Sequence, residues 1–182
     1  VYICETFESS TNAIKEIFNG KFGEAREVLI EEFLDGEEMS FFIISDGISY
    51  KNFGTAQDHK RVFEGDKGKN TGGMGAYSPS RLISKDLDKK IINKIIKPTI
   101  KGMQKENNPY KGFLYIGIMI VDNNPFVIEF NARLGDPEAQ VLIPMLNGSL
   151  YPIIKSVINQ EVDSLDILSK DGFTVTVVLA SN

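Results

Sequence analysis

Glu129 and Asn131 stand two residues apart at the end of an apolar run in "VIEFNARLGDPEAQ" (127–140), and Arg133 follows them at once. Alternation along a strand points both side chains to one face, about one pleat repeat apart, and sends Ile128 and Phe130 the other way, into a core. A carboxylate and an amide oxygen side by side are hard ligands suited to Mg²⁺. That ion takes its other oxygens from water and substrate phosphates rather than from a full protein cage. A polar strand end facing solvent is the plainer account of the same two residues.

"EEFLDGEEMS" (31–40) offers different chemistry. Phe33 and Leu34 supply an apolar surface and free backbone groups where two elements meet, a place able to hold a flat base by stacking and main-chain hydrogen bonds. Glu37 and Glu38 beside it can accept hydrogen bonds from a diol. A hairpin with a solvated acidic turn would carry the same residues. In "QDHKRVFEGDKGKNTGGMGAYSP" (57–79), glycines can turn N–H groups onto an anion, while Lys60, Arg61, Lys67 and Lys69 add positive charge. This is no Walker loop, because Met74 follows Gly73 where lysine is required, and no dinucleotide fingerprint follows either. A surface loop is the competing reading. His59, the single histidine, sits here as a hydrogen-bonding or positioning group rather than an obvious acid–base centre.

Other chemistries find little support. Cys4 lies in an apolar stretch without a neighbouring base, no serine occupies a Gly-x-Ser-x-Gly elbow, and one cysteine with one histidine does not make a zinc site. The lone cysteine excludes an internal disulfide and fits a reducing cytoplasm. A net charge of -5 and a pI near 5.0 argue against nucleic acid as a partner. No apolar run approaches the roughly 18 residues that cross a membrane. At 182 residues, with 42% hydrophobic and 25% charged side chains, the chain can build one sizeable core, or one domain and part of another.

The elements that must position these groups are α+β. Strands are expected at 1–4, 27–34 and 39–45, with a helix over 9–20 that starts on Ser/Thr caps and ends at Gly20. An irregular, glycine-rich stretch follows at 55–81, a length that usually marks function or disorder. A helix is expected over 84–106 with Ile92, Ile96, Ile100 and Met103 as its stripe and Pro98 ending or kinking it. The near-continuous apolar run 112–121 reads as a strand covered on both faces, paired antiparallel with 126–131. Helices should open at Pro137 and Ser149. The chain opens without an initiator methionine and closes on the β-rich "FTVTVVLASN", so a fragment of something longer is expected.

In order and spacing, "VLIEEFLDGEEMSFF", "QDHKR", "NTGGMGAYSP" and "VIEFNARLGDPEAQ" resemble the phosphoribosylamine–glycine ligase family, the glycinamide ribonucleotide synthetases of purine biosynthesis. The resemblance runs nearly from end to end. It implies an ATP-grasp fold, here incomplete: the end of the small lid subdomain (1–34), most of the large subdomain as mainly antiparallel sheet with packed helices (35–168), and the start of a C-terminal domain (169–182). It implies ATP as a substrate, Mg²⁺ or Mn²⁺, the small molecules glycine and 5-phosphoribosylamine, a cytoplasmic location and a monomer. The isolated piece is expected to be inactive or nearly so, because half of the phosphate clamp would lie outside it.

Residue by residue, the resemblance makes Glu129 and Asn131 the metal ligands and puts Arg133 and Asp136 in the catalytic set. Glu31, Glu32, Phe33 and Leu34 become the adenine hinge, with the Leu34 N–H on the base. Glu38 matches the ribose acid better than Glu37. Asp58, His59, Lys60 and Arg61, with Asn70, Thr71, Gly72, Gly73 and Met74, line the glycine and phosphoribosylamine side. One departure stands out: where many ATP-grasp enzymes carry a metal-binding aspartate on the preceding strand, this chain has Gly117, so no second protein carboxylate is assigned. A non-catalytic nucleotide-binding module and another ATP-grasp ligase of the same pathway are the alternatives, and "NTGGMGAYSP" disfavours the second.

Overall fold

The computed structural model describes residues 1–63, 65 and 67–180, with backbone only at 61, 62 and 67–70. The chain divides into two compact units, Val1–Asp35 and Gly36–Asn182. The first holds one helix, α1 (Phe7–Phe18), opened by a capping box in which the Thr6 side chain accepts from the Ser9 N–H and the Ser9 side chain accepts from the Thr6 N–H. Neither strand expected in this unit forms: 1–4 and 27–34 carry no ladder. Tyr2 instead donates from its hydroxyl to Glu16 on the helix (2.7 Å) and meets the Phe22 ring edge-on. A β-prone run without a partner strand cannot satisfy its backbone as a sheet, so propensity alone does not make it one.

The second unit is a six-stranded sheet, antiparallel throughout. Its strands are β1 (Glu37–Asp46), β2 (Tyr50–Asp58), β5 (Gly75–Ser78), β6 (Lys111–Val121), β7 (Asn124–Asn131) and β8 (Thr174–Val177), in the order β7-β6-β1-β2-β5-β8. A separate two-stranded ribbon pairs β3 (Arg61–Phe63) with β4 (Lys67–Asn70). The stretch 55–81 is therefore not irregular. Gly75 serves a tight approach between short strands: its φ of +159° and closeness to the Thr176 carbonyl leave no place for a side chain.

β1 is buried from Met39 to Asp46 because both of its faces are covered. Met39, Phe41 and Ile43 meet a helical layer made of α2 (Lys85–Ile91), a π turn (Ile92–Ile96) and α3 (Lys97–Lys105). Phe42 and Ile44 meet α4 (Ala139–Met145) and α5 (Leu150–Asn159) through Val141, Leu142, Ile153 and Val157. Each such side chain, fully buried, contributes about 1.5–3 kcal/mol. The Asp46–Gly47 turn closing β1 is pinned by Asp46, whose Oδ1 accepts from the Ile48 and Ser49 N–H groups and whose Oδ2 accepts from Val162 N–H.

Pro98 does not end the long helix. It sits in the first turn of α3, just after the π turn, where the Lys97 N–H reaches back five residues to the Ile92 carbonyl. The widened turn accommodates a residue without a donor. It also shifts the phase of the apolar stripe, which is Leu87, Ile91, Ile95, Ile96 and Ile100 rather than Ile92, Ile96, Ile100 and Met103. Ile128 and Phe130 are not core residues either: they are 39% and 46% exposed, because β7 is an edge strand and a bulge opposite Gly117 and Ile118 breaks its register. β8 joins β5, and Thr174 and Thr176 turn to α4, donating to the Val141 carbonyl (2.6 Å) and the Gln140 side chain (2.8 Å). Among the described residues no helix is long and apolar enough to cross a membrane.

Candidate functional site

The face of the sheet that packs on α4 and α5 changes from apolar to polar towards one end of β1. Phe42 and Ile44 give way to Ser40 and then Glu38 on the same face. Ser40 lies opposite Gly117 on β6, and Gly117 lies opposite Glu129 on β7. A Cβ built on Gly117 would stand 3.0 Å from Glu129 Cγ and 3.2 Å from the Tyr115 hydroxyl. The glycine thus leaves the space across which the exposed Glu129 lies, on the same face as Tyr115. Asn131, opposite Tyr115, shares that face. Across three neighbouring strands this end of the sheet presents Glu38, Ser40, Tyr115, Glu129 and Asn131.

β2 brings the rest. Lys60 Nζ pairs with Glu38 Oε1 at 2.5 Å, both side chains about a third exposed. Burial works against the Lys60 charge, but the bond to Glu38, followed by the charges of Glu38, Tyr115 and Asp58, raises its pKa overall. Asp58 carries the reverse imbalance. Burial first, then the charges of Glu138 and Glu38, outweigh Lys60 and the His59 N–H and push its carboxyl up to about 6. Among the described residues its Oδ1 is buried without a hydrogen-bond partner. Burial also pushes the Tyr115 phenol up to about 12.

A carboxylate held above its ordinary value binds a proton more readily folded than unfolded. Asp58 therefore weakens the fold once pH rises through the unfolded value towards about 6. Asp58→Asn is expected to raise the melting temperature at pH 7 and to leave it unchanged below about pH 3, where both states hold the proton. A thermal melt at the two pH values checks this, and an Asp58→Asn protein less stable at pH 7 would refute it. Stability given up at one half-buried acid is the mark of a site shaped for something other than stability.

The loop 71–74 folds back over Asp58. Thr71 donates to the Lys60 carbonyl from its N–H (2.7 Å) and its hydroxyl (2.9 Å), and the hydroxyl accepts from Gly73 N–H (3.1 Å). Met74 N–H donates to the His59 carbonyl (2.7 Å). A Cβ on Gly73 would meet Pro137 Cδ at 2.4 Å and Asp58 Oδ1 at 3.2 Å, and φ is +119°, so only glycine fits here. Gly72 is exposed, as is His59, whose ring lies 5.9 Å from that of Tyr77. The side chains of Arg61, Asn70, Lys67 and Lys69 lie outside the described residues.

The turn after β7 closes the site. Arg133 is exposed and donates to the neighbouring Leu134 carbonyl, and Asp136 is exposed beside it. Glu138, only 3% exposed, accepts from Ser40 Oγ at 3.0 Å. A Cβ on Gly135 would stand 2.2 Å from Glu138 Oε2. Sequence reading passed over Ser40 and took Glu138 only as part of the "GDPE" turn expected to place substrate. A serine inside the apolar run "MSFFII" and an acid heading the apolar helix "VLIPM" were the available signals. Glu31, Glu32 and Phe33 are exposed and Leu34 half-buried within the Val1–Asp35 unit. The structure thus brings Glu38, Asp58, Lys60, Glu129 and Asn131 to one sheet face.

As donors for a divalent cation, Glu129 and Asn131 offer one carboxylate and one amide. Among the described residues no three His, Cys, Asp or Glu side chains converge as a metal cage. A two-donor set of hard oxygens fits an ion that completes its shell from water and phosphate. It does not fit a structural ion, which the protein would have to surround.

The description "Phosphoribosylglycinamide synthetase, ATP-grasp (A) domain" matches residues 1–139. The trifunctional purine biosynthetic protein adenosine-3 of Bos taurus is 49% identical over 100% of this chain, which spans 18% of that protein. The phosphoribosylamine–glycine ligase of Agrobacterium fabrum is 46% identical over 100% of the chain, which spans 43% of it. Among solved structures, phosphoribosylamine–glycine ligase from Thermotoga maritima superposes with a TM-score of 0.82 at 33% identity, covering 99% of this chain and 46% of that one.

Proposed function

Since the chain belongs to the phosphoribosylglycinamide synthetase ATP-grasp (A) domain family, we propose that it forms part of a cytoplasmic ligase joining glycine to 5-phosphoribosylamine at the expense of ATP. In the proposed reaction a glycine carboxylate oxygen attacks the γ-phosphorus of ATP, releasing ADP and leaving glycyl phosphate. The phosphoribosylamine nitrogen then attacks the acyl carbon, phosphate departs, and the amine loses a proton. The observation that carries the reading is that the acid–amide pair, the Lys60–Glu38 pair and the loop over Asp58 all open on one face of one sheet.

Little covalent work falls to the side chains, so their contribution is positioning and charge. Glu129 and Asn131 would hold a divalent cation, Mg²⁺ or Mn²⁺, which supplies neutralisation of phosphate charge when bound. Glu38 would accept from the ribose diol. Arg133 and Asp136, exposed at the turn after β7, would place the transferring phosphoryl group and the substrate. Asp58, His59 and the 71–74 loop would face glycine and phosphoribosylamine.

The test begins with the intact mass of the purified protein, which fixes whether 182 residues or a longer polypeptide is being assayed. ADP release is then measured with ATP and Mg²⁺, with and without glycine and phosphoribosylamine. In a longer polypeptide, release that needs both substrates is expected. Nucleotide binding without such release would overturn the ligase reading and leave a binding module. The 182-residue chain alone is expected to turn over poorly or not at all.

A further inference from the structure

Lys60 is attached at both ends. Its ammonium holds Glu38 at 2.5 Å, and its carbonyl oxygen receives both hydrogen bonds of Thr71. Thr71 in turn holds Gly73, which lies against Pro137 and covers Asp58 Oδ1. One residue therefore spans the acid assigned above to the nucleotide ribose and the loop assigned to the other substrates. We infer that Lys60 is a positioning residue that couples Glu38 to the 71–74 loop, so that engagement of Glu38 by a nucleotide diol is felt at the substrate side. The names of the two ligands rest on the proposed function. The coupling rests on the contacts alone.

The physical argument is one of alternatives. A carboxylate has about four lone-pair positions, so a diol can bind Glu38 while Lys60 stays, but it then shares the acceptor with the ammonium. Lys60 is held by that charge against a burial that disfavours it. Loosening the pair leaves the ammonium to Asp58, an anionic neighbour among the described residues that lies beneath the loop. A side chain released from Glu38 no longer anchors the Lys60 backbone, whose carbonyl Thr71 grips. Gly73 has no slack in the direction of Pro137, since even a methyl group would overlap it. The loop therefore yields outward, uncovering Asp58.

Hydrogen–deuterium exchange on the 182-residue chain tests this without any turnover. Glu38→Gln and Lys60→Met are each expected to speed exchange at the Thr71 and Gly73 amides by about 2- to 5-fold, the scale of a partly exposed ion pair. The amides of Phe41, Phe42 and Ile43 in β1 should not change. The double variant should exchange no faster than either single one, because both remove the same link. Lys60→Arg, which keeps the charge, should return the loop towards wild type. Unchanged loop exchange with an intact β1, or additive effects in the double variant, would overturn the inference. Should Lys60→Met lose β1 protection, Glu38→Gln and Lys60→Arg still decide it.

A non-hydrolysable ATP analogue added to the wild-type chain should alter exchange at Thr71 and Gly73, and fail to do so in Lys60→Met. An analogue that protects no amide of the wild type counts against the nucleotide reading. The substitutions judge the coupling separately.

Discussion

In a longer polypeptide with the proposed ligase activity, Glu129→Ala is expected to slow substrate-dependent ADP release by about 100- to 1,000-fold and to leave stability within about 0.5 kcal/mol of wild type. The two halves of that expectation come from the same geometry. Glu129 is exposed on an edge strand, and its aliphatic stem crosses Gly117 rather than filling a core position. Truncation therefore opens no cavity and leaves no buried partner unpaired. What it removes is the one carboxylate of the proposed two-donor cation site, and among the described residues no group of three His, Cys, Asp or Glu side chains stands ready to replace it. The Mg²⁺ concentration needed for half-maximal rate should rise in the variant, and Asn131→Ala should show the same shift to a smaller extent. Normal turnover of Glu129→Ala at low Mg²⁺ would remove Glu129 from the cation site. A lost rate accompanied by a lowered melting temperature would mean that the residue is structural.

The parts of this fold that are legible in the sequence are those fixed by local chemistry. The run 112–121 could hardly be anything but a covered strand, and Ser149 announces a helix start because a side-chain oxygen there satisfies free N–H groups, whereas the first helix starts at Phe7 on Thr6 rather than at Ser9. What escaped depends on partners distant in sequence. The ladders at 61–63, 67–70 and 75–78 lie in a glycine-rich segment whose residues have low strand propensity. They are held by one another and by β2 and β8. The π turn that absorbs Pro98 leaves no trace in periodicity except a stripe that slips by one residue. The exposure of Ile128 and Phe130 follows from β7 being an edge, a property of the sheet order rather than of the strand.

The same division runs through the site. Glu129 and Asn131 could be placed on one face by alternation, since that needs only the two-residue period. Nothing local pairs Lys60 with Glu38, 22 residues away, or Ser40 with Glu138, 98 residues away. Those contacts exist because β1, β2 and the turn after β7 meet at one end of the sheet. The buried acids could not be recognised as buried. An acid in a loop motif reads as solvated until the loop is seen to fold back over it, as 71–74 does over Asp58.

Gly135→Ala is expected to destabilise the fold by about 3–4 kcal/mol. The added methyl would stand 2.2 Å and 2.8 Å from the two oxygens of Glu138 and 2.5 Å from its carboxyl carbon, so no small adjustment relieves the overlap. A flexible carboxylate at the surface would swing away. Glu138 cannot do so freely, because it is buried and its Oε1 is held by Ser40 Oγ. Either the carboxylate breaks from Ser40 and is left buried with neither water nor partner, or the turn from Arg133 to Pro137 lifts off the sheet. For a unit of this size the loss corresponds to roughly 10 °C in melting temperature. Because one collision causes it, the damage should be conditional. Glu138→Ala removes the carboxylate, and the further loss from adding Gly135→Ala to it should fall well below the single-variant value, a coupling of the kind neighbouring residues show. Equal losses with and without the carboxylate would mean that Gly135 is needed for its backbone alone. Full stability in Gly135→Ala would mean that the turn has room which the buried, Ser40-bound carboxylate denies it.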